Sequence, residues 1–293
     1  MRNKARLRAL HSLVRDARYE VLPTAKAEAA ILEHLTPGRS VTITASPGKG
    51  LAATLDLSER LAGQGFYVVP HLAARMVSGR AELDEIAERL IAAGVDNIFV
   101  PAGDADPPAG NYAGSVDLLE DLAAMGNLFT HVGVTGYPQP HPTIHDDITV
   151  QAMWDKRRHA SYIVSNLCFD PVVLRRWVAR LRARGVTLPL VVGLAGPVER
   201  AKLLTMATKI GVGESTRFLA KHKSSFARIA SPGGYNPERF LERLSGTLAD
   251  PGSVVQGLHV FTFNQIAETE AWRRSILAGN GDPSLVVQPS AGK

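Results

Sequence analysis

The feature that most constrains this chain is a rhythm. Short runs rich in Val, Ile, Thr and Tyr alternate with stretches whose apolar residues recur at helical spacing, and turn-forming residues separate them. The runs are Arg18–Pro23, Ser40–Ala45, Tyr67–Leu72, Asn97–Pro101, His131–Tyr137, Tyr162–Phe169, Pro189–Leu194 and Val255–Phe263. Helical stretches between them are Lys26–Leu35, Leu51–Gly63, Ala81–Ala93, Asp117–Met125, Val150–His159 and Val172–Arg184. A longer helical region follows the seventh run (Glu199–Ile210, Glu214–Lys223, Pro237–Leu248), and Ile266–Leu277 closes the series. Continuous β-branched runs belong to parallel strands that helices cover. Most strand ends fall roughly 25 to 35 residues apart, the length of one strand–helix–strand unit. About eight such units predict an α/β fold, the closed (β/α)8 TIM barrel. An open doubly wound sheet is the alternative, and the first strand lacks the Gly-rich dinucleotide fingerprint that would favour it.

A length of 293 residues suits one such barrel. The reading is a helical extension over 1–17, the barrel over 18–278 and a Gly/Pro/Ser-rich flexible tail over 279–293. An insertion before the last strand, around Gly213–Tyr235, is placed to form a lid or an interface. In the extension, Leu7, Leu10, Leu13 and Val14 are spaced as on a helix. It has no continuous apolar core or small-residue cleavage site, so it is not a secretory signal. No segment has the roughly 18 unbroken apolar residues of a membrane span. Cys168 is the single cysteine, which excludes internal disulfides and Cys-rich zinc sites and fits a cytoplasmic setting. The net charge is +5, but Arg and Lys are scattered among Glu and Asp. The densest basic run, Leu174–Arg182, alternates with apolar residues at helical spacing. That is the solvated face of an outer helix, and neither nucleic acid nor membrane is an expected partner. Oligomeric state is not legible.

Barrel enzymes carry their chemistry at the C-terminal ends of the strands. Those positions hold Glu20, Thr44, His71, Asp104, Tyr137, Asn166, Gly193 and Asn264. Glu20 is the anomaly, because a carboxylate inside a buried strand is costly unless paired, protonated or facing a wet pocket. The loop Ala45–Gly50 joins a strand to a helix, where backbone N–H groups cradle a phosphate or simply make a turn. His141 and His145 have i, i+4 spacing, with Asp146 and Asp147 beside them. Prolines flank His141 and no third histidine stands at ligand spacing, so no metal is expected.

At these strand ends the sequence resembles the methylenetetrahydrofolate reductases, barrel enzymes that reduce 5,10-methylenetetrahydrofolate to 5-methyltetrahydrofolate in one-carbon metabolism. Tyr19-Glu20-Val21-Leu22-Pro23 resembles the family's Phe-Glu-Phe-Phe-Pro. Val41–Thr44 and Pro70-His71-Leu72 match its second and third strand ends, and Gly103-Asp104 with Pro107-Pro108 resembles Arg-Gly-Asp-Leu-Pro-Pro. Tyr137-Pro138 with His141-Pro142 matches the fifth strand end. Ser165–Asp170 resembles Thr-Gln-Phe-Phe-Phe-Asp, and Phe261–Asn264 the last strand. The resemblance runs from Tyr19 to about Trp272.

It implies that Glu20 is the general acid that protonates N10 of the folate, with a pKa raised by an apolar site, and that Asp104 holds the pterin. Asn166, Phe169 and Gln265 are the implied substrate contacts. Thr44, His71, Gly103, Tyr112, Tyr137, His141 and Lys156 are the implied cofactor contacts. The family usually holds FAD, which relays hydride from NAD(P)H. Ala102 stands where the family has Arg, its flavin-contacting Asp falls near Val150 or Gln151, and Gln265 replaces another Arg. Losing charged contacts costs several kcal/mol of affinity. The expectation is weak or absent FAD, with NADH or NADPH giving hydride directly to the folate. The alternatives are another pterin or flavin barrel oxidoreductase, and a non-catalytic folate-binding barrel.

Overall fold

The computed structural model describes residues 2–138, 151, 153–198 and 236–278. The predicted helices 199–210 and 214–223, the insertion, His141 and the tail lie outside the described residues.

Eight strands form the sheet: β1 (Arg18–Val21), β2 (Ser40–Ile43), β3 (Tyr67–Pro70), β4 (Asn97–Val100), β5 (His131–Gly136), β6 (Tyr162–Ser165), β7 (Leu190–Ala195) and β8 (Val255–Phe261). All ladders are parallel, in the order β3-β2-β1-β8-β7-β6-β5-β4. The first strand therefore pairs with the last, as a barrel requires. β3 and β4 meet just past the end of β3, at an isolated bridge between His71 and Phe99, where Leu72 N donates to Phe99 O at 2.8 Å. This is the (β/α)8 barrel expected from the alternation.

The helices around it are α1 (Arg2–Arg15), α2 (Ala25–His34), α3 (Gly50–Gly63), α4 (Arg80–Ala92), α5 (Ser115–Ala124), α6 (Pro171–Ala183), α7 (Pro237–Leu248) and α8 (Ile266–Ala278). Local sequence starts several of them. Thr24 caps α2 by accepting from Ala27 N, and Asp170 and Asn236 cap α6 and α7, each followed by proline at the first helical position. Each helix buries one stripe; that of α4 is Leu83, Ile86, Ala87 and Leu90. Its Leu and Ile side chains contribute roughly 1.5–3 kcal/mol each when fully buried. The N-terminal α1 packs on α7, α8 and β8.

Alternation along the strands sorts side chains to two faces. Tyr19 and Val21 point outward into the main core, while Glu20 points inward. Inside, Val69, Phe99, Tyr162, Val164 and Val191 form a separate apolar cluster. Nearer the strand starts, Tyr162 Oη donates to Asn97 Oδ1 at 2.8 Å and the Arg18 guanidinium lies 4.5 Å from the Tyr162 ring centroid. Gly133 makes room for that ring, since a Cβ there would meet it at 2.4 Å. The interior is thus plugged below, and the polar residues gather above.

Seven of the predicted strands run one to four residues past the ladders. Beyond Val21, Ile43, Pro70, Val100, Gly136 and Ser165 the backbone leaves the sheet for the βα loops. Leu22, Thr44, His71, Pro101, Tyr137 and Asn166 are consequently rim residues.

Candidate active site

β1 and β8 build the centre of the site. Glu20 pairs in register with Thr42 on one side and Phe261 on the other. Its carbonyl accepts from Thr262 Oγ1 at 2.6 Å and Thr262 N at 3.3 Å, so its backbone is fixed at the end of β8. Asn264, in the left-handed region with φ 57°, accepts from Leu22 N at 2.8 Å. This rim asparagine clasps the two strand ends.

Two imidazoles meet the Glu20 carboxylate. His259 Nε2 lies 2.8 Å from Oε2, and His71 Nε2 lies 3.7 Å from the same oxygen. The Glu20 side chain keeps 17% of its surface exposed, against 2% for His259 and 10% for His71. The His71 ring tilts against Phe99 (centroids 4.7 Å apart) and the His259 ring stands edge-on to Phe261 (4.8 Å). Among the described residues, His71 Nε2, His259 Nδ1, Thr42 Oγ1 and Thr44 Oγ1 are buried without a hydrogen-bond partner. A polar chamber with unspent hydrogen-bonding capacity therefore surrounds the carboxylate.

Burial pushes the His71 pKa down to about 4, against the opposing pull of the Glu20 charge, and the ring is neutral at pH 7. For Glu20, burial pushes upward, but the His259 hydrogen bond and the electrostatic pull of the two imidazoles outweigh it, and the net shift is downward. This corrects the raised pKa expected from sequence. Burial is visible in a strand pattern, whereas the hydrogen bond from β8 is not. In the free protein Glu20 is ionised at neutral pH.

The loop after β4 carries Gly103 and Asp104. Gly103 has φ +85° and a Cβ there would lie 3.0 Å from Ala73 Cβ, so both conformation and space call for glycine. Ala74 N donates to Pro101 O at 3.0 Å and Arg75 N to Ala102 O at 2.9 Å, which ties the loop to the turn after β3. The Arg75 side chain donates to Ala105 O (2.7 Å) and Ala113 O (3.2 Å), and Arg80 pairs with Asp84 at 2.9 Å. Asp104 is exposed at the mouth. Its charge reaches Tyr137 on the next strand, whose pKa is raised first by burial and then by Asp104, with Thr135 pulling the other way.

The remaining expected residues divide. Asn166 is half-buried at the rim, its Oδ1 accepting from Leu167 N at 2.8 Å. Phe169 is half-buried one residue before the cap of α6. Gln265 stands before α8, where its carbonyl accepts from Thr269 Oγ1 at 2.7 Å. Tyr112 is buried, and its hydroxyl donates to Asp121 at 2.6 Å. Lys156 is 6% exposed, and burial alone lowers its pKa to about 8. In the Ala45–Gly50 loop the N–H groups of Lys49 and Gly50 both donate to Ser46 O at 3.0 Å, which makes it a turn. Among the described residues no group of three or more His, Cys, Asp or Glu is arranged to hold a metal.

His259 is the residue that sequence reading passed over. Alternation along β8 places it inward with Phe261, but its partner emerges only from the register that sets Arg18 opposite it.

The sequence pattern of methylenetetrahydrofolate reductase matches residues 31–271, most of the chain. The chain belongs to the methylenetetrahydrofolate reductase family. Among curated relatives, methylenetetrahydrofolate reductase 2 of Saccharomyces cerevisiae is 23% identical over 123 residues, 38% of this chain and 20% of the yeast protein. The match therefore spans about a fifth of that relative. Solved structures that resemble the chain include a putative phosphonomutase from Burkholderia cenocepacia J2315 (10% identity, TM-score 0.45, covering 96% of this chain and 100% of that one). Dihydropteroate synthase from Thermus thermophilus is another (14% identity, TM-score 0.43, 92% and 95% covered). Within the reductase family, Glu20, Asp104 and Asn166 of this member occupy three rim positions of one barrel mouth.

Proposed function

We propose that this member of the family reduces 5,10-methylenetetrahydrofolate to 5-methyltetrahydrofolate, taking hydride from NADH or NADPH. The observation that carries the reading is a carboxylate inside the barrel mouth, hydrogen-bonded by the His259 imidazole with His71 beside it, and with Asp104, Tyr137 and Asn166 on the same rim. Glu20 gives a proton to N10, and the bond between N10 and the methylene carbon breaks. The resulting N5 iminium accepts hydride from the nicotinamide, and its carbon becomes the methyl group. Asp104 favours the positive charge that develops on the pterin, and the Asn166 carboxamide bonds the pterin edge. The pterin covers the remaining exposed part of Glu20, which raises its proton affinity in the complex.

The described residues fit a flavin poorly. Ala102 brings no cation to the loop after β4, and Arg75, the guanidinium beside it, is spent on loop carbonyls. Thr44 Oγ1 and His71 Nε2 remain as uncharged contacts. The reading is therefore direct hydride transfer from nicotinamide to folate, in the cytoplasm; no described helix is long and apolar enough to cross a membrane.

The visible spectrum of the purified protein and its oxidation of reduced nicotinamide with methylenetetrahydrofolate test this together. Turnover by a colourless protein without added FAD is the expected result. Stoichiometric bound flavin, or activity only with added FAD, would end the direct-transfer reading. Folate binding with no turnover would make the chain a binding barrel.

A further inference from the structure

The mechanism above uses Glu20 and leaves His259 unassigned, although its ring is almost completely buried and points Nε2 at the reacting carboxylate. A contact of 2.8 Å between an imidazole nitrogen and a carboxylate oxygen requires a proton between them. Nδ1, the other ring nitrogen, is buried and has no partner among the described residues. The contact with Glu20 is therefore the hydrogen bond that orients the ring.

Among the described residues, little else faces the carboxylate. β8 contributes His259 and the Phe261 ring, and β3 contributes His71 at 3.7 Å. β2 presents Thr42, which has no charge, and β7 sets Gly193 in register with His259. On β1 itself, Arg18 lies two residues toward the barrel floor against the Tyr162 ring. Asp104 and Tyr137 stand at the mouth on the other side of the β3–β4 closure.

We propose that His259 is a positioning residue of this site: its hydrogen bond fixes Glu20 Oε2 and so sets which carboxylate oxygen faces the substrate. The inference rests on the reductase reading for its chemical purpose, but its geometry does not depend on that reading. A carboxylate that accepts a hydrogen bond in its charged form holds a proton less tightly than one without that donor, so the contact is readable in the Glu20 midpoint. With Oε2 held by the ring, Oε1 is the oxygen left to meet N10.

The test uses the full chain labelled with carboxyl-¹³C glutamate and needs no folate. The Glu20 resonance is assigned by its loss in Glu20→Gln and is titrated in wild type, His259→Phe and His259→Asn. Phe removes the donor at similar volume, and Asn is too short to reach. His259→Gln restores a donor that does not titrate. In either variant that breaks the contact, the Glu20 midpoint should rise by a pH unit or more, a tenfold gain in proton affinity, and His259→Gln should recover at least half of it. A midpoint unchanged in a folded variant that lacks the contact overturns the proposal.

Turnover then separates the two readings. Where wild type oxidises reduced nicotinamide with methylenetetrahydrofolate, loss of the contact should move the alkaline limb of kcat upward, with KM for folate within threefold. A limb that stays in place overturns the positioning role. A shifted NMR midpoint in a protein with no turnover upholds the pair and overturns the reductase reading instead.

Discussion

Tyr19 and Glu20 are adjacent on β1, yet their side chains end in two separate buried polar networks on opposite faces of the strand. Glu20 meets His259 and His71 inside the barrel. Tyr19 Oη donates to Glu270 at 2.5 Å, and Glu270 is paired with Arg273 at 2.8 Å and Arg274 at 2.7 Å on α8. Strand alternation thus aims the Glu20 carboxylate into the barrel mouth and the Tyr19 hydroxyl at the carboxylate on α8, where the barrel wall joins its helices. The two are separable by mutation.

Glu270→Gln should destabilise the fold by about 3 kcal/mol, because it leaves Arg273 buried without its counter-charge. Urea denaturation measures this. Burial pushes the Glu270 pKa up, but its bonds to Arg273, Tyr19 and Arg274 bring it down to about 2. A depressed carboxylate contributes stability above its unfolded value, and that contribution fades as pH falls from about 4.5 to about 2. Acid unfolding in that window should flatten in the variant.

His71 acts in a different window and with a different origin. Its folded pKa of about 4 lies below the ordinary 6.5, because the buried ring resists protonation. As pH drops through 6.5 the unfolded chain gains a proton that the folded chain refuses. Stability should fall by up to about 3 kcal/mol by pH 4. His71→Phe should lose that slope between pH 6.5 and 4 while keeping the decline at lower pH. Melting temperatures of the two proteins across this range decide it.

Glu20 is ionised in the free protein and must be protonated to serve as an acid, so folate binding should carry a proton with it. Calorimetry at pH 7 in buffers of different ionisation enthalpy should register uptake of about one proton by wild type and none by Glu20→Gln. The same variant should lose a factor of roughly 10² to 10⁴ in kcat, the range of general acid catalysis. Undiminished turnover would remove Glu20 from the mechanism.

Arg75 holds the loop that presents Gly103 and Asp104 through bonds to Ala105 O and Ala113 O. Arg75→Ala should raise KM for folate about tenfold, the loss of one or two charge-assisted bonds, with a smaller effect on kcat. Hydrogen exchange of backbone amides in residues 102–113 should accelerate. A KM unchanged alongside faster exchange would show that the loop's order is not used in binding.

Much of this was legible in the chain. Continuous β-branched runs and helical stripes located the eight strands, because parallel strands buried on both faces need continuous apolar sequence. Rim residues were legible by the same logic, though most strands were read too long, since sequence does not show where a ladder releases its loop. What escaped depends on pairing across the barrel. His259 lies 239 positions from Glu20 and meets it only through the β1–β8 register. The hold of Arg75 on the loop after β4 escaped as well, because carbonyl partners 30 and 38 residues away leave no mark on composition. The direction of the Glu20 pKa was misread for the same reason.

The bridge between His71 and Phe99 marks where the sheet is least continuous, and it lies between two strands that are also consecutive in sequence. A circularly permuted chain with new termini in the Ser78–Gly79 segment would keep all seven strand ladders intact, with β4 as its first strand and β3 as its last. The polypeptide could then be rewired at the seam that no strand ladder among the described residues crosses, with Glu20, His259 and their shared register carried whole in the interior of the new chain.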